Sequence, residues 1–347
     1  MKVKAVGLAV LATAVAALAT GCGGGGKSAA TTEATTTGGS KPLRIAMVAD
    51  NSGLNDRGFN SLAYKGLRQA QRELGAQIQV AESKSPADYI PNLASFARRG
   101  YDLVVGVGYT EIAAMGAVAK RFPHTKFAIV DVSNKDLAGT PPNVLGLLFH
   151  EEQVGYLAGY LAGLEAKRLP GRDLIGSVGG EKQPPVDRFI AGYQAGGKAA
   201  DPGIKVVNAY SQDFADPAKC KALAQNQISA GAIAVFAVAG GCGLGALDAA
   251  RQAGIWGIGV DADQSFLGPH ILTSATKKVD HAVFLAIKDV ANGKFGGGDV
   301  VYGLKEGGVG LGKISPKVSK SEVDAVDKVK AQIIAGKITP PTTIAAG

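Results

Sequence analysis

From residue 43 onward, short apolar runs alternate with longer segments whose apolar positions recur at helical spacing. The runs predict strands at Arg44–Ala49, Gln77–Ala81, Leu103–Val107, Phe127–Val132 and Val144–Phe149. Between them, Leu62–Leu74, Tyr89–Arg98 and Ile112–Arg121 repeat apolar residues three or four apart, which is one face of a helix. Glu151–Lys167 is a longer helix, with Gly155, Ala158, Gly159 and Ala162 forming a side that permits close packing. The alternation then begins again. Strands are predicted at Leu174–Val178, Lys205–Tyr210, Ala232–Ala237 and Trp256–Val260, and helices at Val186–Ala199, Ala218–Ala230 and Leu244–Ala253. A tail adds strands His270–Ser274 and Val300–Leu304 around a helix Val279–Asn292, then an amphipathic helix Glu322–Ala335. Strands that are apolar throughout, separated by helices, indicate parallel sheets covered on both faces. The expected fold class is therefore α/β, with two doubly wound parallel-sheet lobes joined by a hinge. The expected division is 43–148 with 262–292 for the N-terminal lobe, and 149–261 with 293–340 for the C-terminal lobe.

The first 42 residues follow a different pattern. Lys2 and Lys4 precede an apolar run, Val6–Leu18, that is short for a membrane span, and small residues lead to Cys22. This resembles the signal segment of a bacterial lipoprotein (residues 1–21), with Cys22 as the lipidated residue. Residues 22–42 are Gly, Ser, Thr and Ala with few apolar side chains, the composition of a flexible tether. The expectation is a lipid-anchored domain at the extracytoplasmic face of the cell membrane.

Composition narrows the classes. No later segment runs eighteen apolar residues without interruption, as a spanning helix requires. The formal charge of +8 is spread along the chain without a basic block, which argues against a nucleic-acid partner. Two cysteines follow the tether, Cys220 and Cys242, and outside the cytoplasm such a pair is expected to be a disulfide.

Candidate chemistry is sparse. The glycine-rich pieces at 106–108, 176–180 and 240–245 do not complete a dinucleotide fingerprint, and the four histidines lack ligand spacing. Neither a metal nor a cofactor is expected. Ser274-Ala-Thr-Lys277 matches the Ser-x-x-Lys of acyl-transfer enzymes but lacks its companion motifs. Asp50, Asp131 and Asp261 could converge for hydrolysis, though binding explains the same residues with fewer assumptions. The most informative stretch is Asp50–Asn60, which joins the first strand to the first helix. In open α/β sheets ligands bind at such strand ends, and this loop offers polar side chains beside one aromatic.

Several segments, in order, resemble the basic membrane protein family of lipoproteins, which includes the purine nucleoside receptors of ABC importers. They are Asp50-Asn-Ser-Gly-Leu-Asn-Asp56-Arg-Gly-Phe59-Asn60, Phe149-His-Glu151-Glu152-Gln-Val-Gly155-Tyr-Leu-Ala-Gly159, Gly179-Gly180 with Pro185-Val186 and Phe189-Ile-Ala-Gly192, Phe214-Ala-Asp216-Pro217, Gly259-Val-Asp261-Ala-Asp263-Gln264 and Thr273-Ser274-Ala-Thr-Lys277. The resemblance implies a two-lobed fold of the type I periplasmic binding kind, which is not an enzyme. It implies a nucleoside, a purine one, as ligand, and ABC permease subunits as partners of a monomer. It implies Phe59 and Phe214 as rings on either side of a base, with Asp50, Asn51 and Asn60 at its polar edge and Asp131 reading it. Asp261 and Lys277 would hold ribose hydroxyls, with the backbone at Gly240 nearby, although Lys278 competes with Lys277 for the inward place. The alternatives are a sugar or autoinducer receptor on the same fold, and a nucleoside-hydrolysing enzyme.

Overall fold

The computed structural model describes residues 41–169, 171 and 173–345, and the folded unit begins at Pro42. The expected signal segment, Cys22 and residues 22–40 of the tether lie outside the described residues. In chain order the elements are β1 (Arg44–Ala49), α1 (Phe59–Leu74), β2 (Gln77–Glu82), α2 (Tyr89–Arg98), β3 (Leu103–Val107), α3 (Ile112–Arg121), β4 (Lys126–Val130) and β5 (Val144–Phe149). There follow α4 (Glu151–Lys167), β6 (Leu174–Gly179), α5 (Pro184–Ala200), β7 (Lys205–Tyr210), α6 (Pro217–Ser229), β8 (Ala234–Val238), α7 (Gly240–Ala253) and β9 (Trp256–Asp261). The tail holds β10 (Ile271–Lys277), α8 (Val279–Ala291), β11 (Gly298–Tyr302), β12 (Val309–Leu311) and α9 (Lys320–Ile334).

Two sheets of six strands result, ordered β11-β5-β4-β3-β1-β2 and β12-β10-β9-β8-β6-β7. All neighbours run parallel except β12, which is antiparallel to β10. Strand alternation divides the cores. Ile45, Met47 and Ala49 of β1 face α1 and α8, while Ala46 and Val48 face α2 and α3. The second sheet carries α4 and α5 on one face and α6 and α7 on the other. The small side of α4 acts as the sequence indicates. A Cβ on Gly159 would lie 1.9 Å from the carbonyl oxygen of Tyr193, so α4 and α5 meet backbone to backbone.

The pairing redraws the expected division of the tail. Within 262–292, β10 joins the second sheet beside β9, whereas α8 packs on α1 of the first lobe. Within 293–340, β11 joins the first sheet beside β5, and β12 and α9 return to the second lobe. Strand membership is decided by which edge is open to hydrogen bonding, and the apolar pattern of a short strand carries no such information. The chain thus crosses between lobes near His150, near Lys278 and between Tyr302 and Val309. These crossings are tied side by side, His150 N donating to Tyr302 O (3.0 Å) and Lys278 N to Gly308 O (2.8 Å).

Boundaries also move at functional places. The first helix starts at Phe59 rather than Leu62, because the Asp56 carboxylate accepts from the backbone N–H of Gly58 (3.0 Å), Asn60 (2.6 Å) and Ser61 (3.1 Å). A carboxylate at this end satisfies otherwise unpaired donors and the helix dipole. Phe59 and Asn60 therefore sit on a helical first turn, not in a loop. Cys220 of α6 and Cys242 of α7 form a disulfide with Cα atoms 5.5 Å apart.

Candidate functional site

Between the carboxyl ends of the two sheets lies a cleft lined from the first lobe by Asp50, Ser52, Phe59, Tyr109, Thr110 and Asp131. The second lobe contributes Gln183, Val186, Phe189, Phe214, Gly240, Asp261 and, from β10, Lys277. Seven of the nine expected ligand residues thus line one cavity; Asn51 and Asn60 do not. Asn51 is half-buried beside it. Asn60 is wholly buried and holds the loop: its Nδ2 donates to Asp50 Oδ1 (2.7 Å) and its Oδ1 accepts from Asp50 N (3.3 Å). Ser52 adds its N–H and hydroxyl to the same Oδ1, at 2.9 and 2.5 Å. That leaves Oδ2 without one of these loop bonds, on the side of Gly108, where a Cβ would meet both it and the Phe59 ring at 3.4 Å. Burial raises the Asp50 pKa, against the lowering effect of these hydrogen bonds.

Asp131 follows β4, and Asp261 ends β9, the equivalent strand of the other sheet. Both adopt left-handed backbone, with φ of 70° and 61°, which turns the chain sharply at the strand end. Lys277 lies between the lobes with a side chain 2 % exposed, whereas Lys278 is exposed. The structure therefore assigns the inward place to Lys277. Its ammonium donates to Asp131 Oδ1 (2.8 Å), Asp131 Oδ2 (2.7 Å) and Glu151 Oε1 (3.1 Å). The rings of Phe59, Phe149 and Phe189 surround it at 5.0, 5.1 and 5.5 Å. An ammonium has three protons, so Asp131 and Lys277 largely satisfy each other in this arrangement.

The charge balance around Lys277 is acidic. Burial alone would lower the lysine pKa, but Asp131, Glu151 and Asp261 outweigh it and raise it. Burial raises Asp261 to about 7 and Glu151 to about 7, in each case partly opposed by Lys277. Glu151 Oε2 makes no hydrogen bond, and Arg188 Nη1 stands 3.5 Å from it.

On the second lobe, Phe214 precedes the Asp216 cap of α6, whose carboxylate accepts from Ala218 N (2.9 Å). Asp213 accepts from the N–H groups of Ala215 and Asp216, and Lys219 with these bonds lowers its pKa to about 2. The Phe214 carbonyl accepts from Cys242 N (2.9 Å), and a Cβ on Gly180 would stand 2.2 Å from the ring. Glycine at 180 is thus what leaves room for the aromatic. Gly240 opens α7 beside it rather than lying in a loop.

Phe149, Glu151 and Phe189 lie within the ordered motifs but have no place in the site those motifs imply. An acid in the first turn of a helix satisfies the helix dipole by itself, which hides any second partner. Ser274 and Lys277 are three apart on β10, so strand alternation sends them to opposite faces. Ser274 Oγ instead accepts from Gln264 N (3.0 Å). Among the described residues no group of His, Cys, Asp and Glu is arranged to hold a metal ion, and no helix is long and apolar enough to cross a membrane.

The model of one protein family, described as ABC transporter substrate-binding protein PnrA-like (Bmp), matches residues 43–343. A Lactococcus lactis protein named ABC transporter nucleoside-binding protein BmpA is 37% identical over 328 residues, covering 86% of this chain and 89% of that protein. Basic membrane protein B of Borrelia garinii is 34% identical over 283 residues, covering 79% of this chain and 82% of that one. Among solved structures, an ABC transporter solute-binding protein from Aeropyrum pernix superposes with a TM-score of 0.80 at 30% identity, covering 87% of this chain and 94% of that one. A carbohydrate-transporter binding protein from Agrobacterium radiobacter in complex with D-arabinose, at 18% identity and a TM-score of 0.59, covers 82% of this chain and 98% of that one and shares the fold.

Proposed function

We propose, for a chain that belongs to the PnrA-like family of ABC transporter substrate-binding proteins, that its ligand is a purine nucleoside held between the lobes. The observation that carries this reading is the pair of rings, Phe59 from the first lobe and Phe214 from the second, lining one cleft with the buried acid Asp261. Two aromatic walls suit a flat base, and an ionised carboxylate suits the two hydroxyls of a ribose. Asp50, which lines the same cleft as Phe59, offers Oδ2 as an acceptor for an N–H on the base. The name of the Lactococcus relative supports the same class. A ligand that touches both lobes at once would favour closure. Delivery to ABC permease subunits, and attachment to the outer face of the membrane through a lipidated Cys22, complete the reading; a membrane-extracted form whose mass begins at an acylated Cys22 is its check.

Titration calorimetry decides the ligand class. Guanosine or inosine should bind, and ribose, D-arabinose and free guanine should bind far more weakly. Binding of the sugars as tightly as the nucleosides would move the assignment to a sugar receptor. Recovery of free base after incubation would make the protein a hydrolase.

A further inference from the structure

Residues 56–58 leave the first lobe and touch the second. Arg57 has left-handed backbone, φ 53°, a conformation uncommon for a residue with a side chain and kept only where neighbours impose it. The neighbours are identifiable. On one side Asp56 is fixed as the cap of α1. On the other, Gln264 of the second lobe donates its Nε2 to the Arg57 carbonyl at 3.4 Å. Gln264 is 3 % exposed and pinned at every other polar atom: Oε1 accepts from Val260 N (3.2 Å) and its own N donates to Ser274 Oγ. Two residues on, Phe266 is 60 % exposed, the most exposed large apolar side chain among the described residues, and the Arg57 guanidinium stands 5.7 Å from its ring centre. The contact adjoins the cleft, since a Cβ on Gly58 would lie 3.7 Å from Asp261 Cβ.

We propose that Arg57 and Phe266 form a latch between the lobes, positioning residues that hold the cleft closed without touching the ligand. The proposal rests on the reading of this cleft as the ligand site, but not on which ligand fills it. The exposed second-lobe ring has the Arg57 guanidinium 5.7 Å from its centre, and Arg57 is the non-glycine residue of this loop that holds left-handed backbone. The pairing joins residues 209 positions apart across the cleft, so it forms only when the lobes are together. At a solvent-exposed site a cation on a ring is worth about a two- to five-fold shift in an equilibrium.

Hydrogen exchange of the full-length protein without ligand tests this, comparing wild type, Arg57→Asn, Phe266→Ala and the double variant. Asn tolerates the left-handed backbone while removing the cation, and Phe266→Ala provides an independent break in the same contact. Each single change should speed exchange about two- to five-fold in both 51–61 and 261–268, and the double variant should exceed neither. Effects confined to the mutated segment, or adding in the double variant, would overturn the latch. A second readout is the dissociation rate of guanosine, which should rise by a similar factor in each single variant; unchanged rates in both would also overturn it. If guanosine fails to bind the wild type, the nucleoside reading falls, and the exchange data still decide the latch.

Discussion

At the scale of single residues, two kinds of side chain share the cleft and fail differently when changed. Phe59 and Phe214 face the cavity from opposite lobes, so truncating either to Ala should weaken nucleoside binding by about 1–3 kcal/mol, the worth of one base–aromatic stack. Calorimetry is the measurement, and the melting temperature should hardly move. Lys277 is the contrary case. Its ammonium is the buried counter-ion of Asp131 and Glu151, and breaking a buried pair typically costs about 3–5 kcal/mol. Lys277→Met should therefore appear first as a loss of stability in urea, with Lys277→Met/Glu151→Gln regaining part of it. The ordered motifs made the rings, Asp50, Asp131, Asp261 and Lys277 legible as neighbours of one cleft. They could not show that Lys277 meets Asp131, because a pairing across 146 positions is set by how the hinge folds. Asn60 lies outside the cleft for a related reason: its polar side chain is buried against its own partner, Asp50, which the sequence of a polar loop does not show.

At the scale of elements, the helices that open onto the cleft are fixed from outside it. Asp56 holds the first turn of α1, and with it Phe59, through three backbone N–H groups. Asp56→Ala should cost about 0.5–2 kcal/mol of stability, the range for losing a helix cap, and should weaken binding further by freeing Phe59. An unchanged affinity would show that packing alone orients the ring. On the other lobe the disulfide Cys220–Cys242 links residues 22 positions apart, from within α6 through β8 into α7, worth roughly 3 kcal/mol in the chain-entropy model. Cys242 also donates its N–H to the Phe214 carbonyl. Reduction in denaturant followed by refolding should thus lower both stability and affinity, read by denaturation and calorimetry. The longer apolar strands and periodic helices were legible from pattern alone. The three-residue strand β12 was not, since so short a run carries no periodicity and exists only because Ala275–Lys277 offers it an edge. The same holds for the placing of β10 and β11, where open sheet edges, not side-chain pattern, choose the partner.

At the scale of the whole molecule, the hinge and the proposed ligand site draw on the same charges, so stability and nucleoside binding should respond to pH in opposite directions. Asp131 stands on the first lobe, Asp261 and Lys277 end strands of the second, and Glu151 begins the helix after the first crossing. Burial holds Asp261 and Glu151 at about 7, well above the 3.8 and 4.5 of free carboxyls. Between those limits the native protein binds more protons than the unfolded chain, so stability falls as pH rises. Their destabilising effect is absent below about pH 4 and complete above about pH 7. Lys277, raised, stays charged throughout and does not contribute to the slope. The melting temperature should therefore be higher at pH 5.5 than at pH 8, and Asp261→Asn should flatten much of that dependence. On the proposed nucleoside reading binding should run the other way, because ribose hydroxyls would need Asp261 as an ionised acceptor. Guanosine affinity should rise from pH 5.5 to pH 8, and the rise should be smaller for 2′-deoxyguanosine and absent in Asp261→Asn. Affinity and stability climbing together with pH would mean that Asp261 acts on the fold alone, and would remove it from the sugar site.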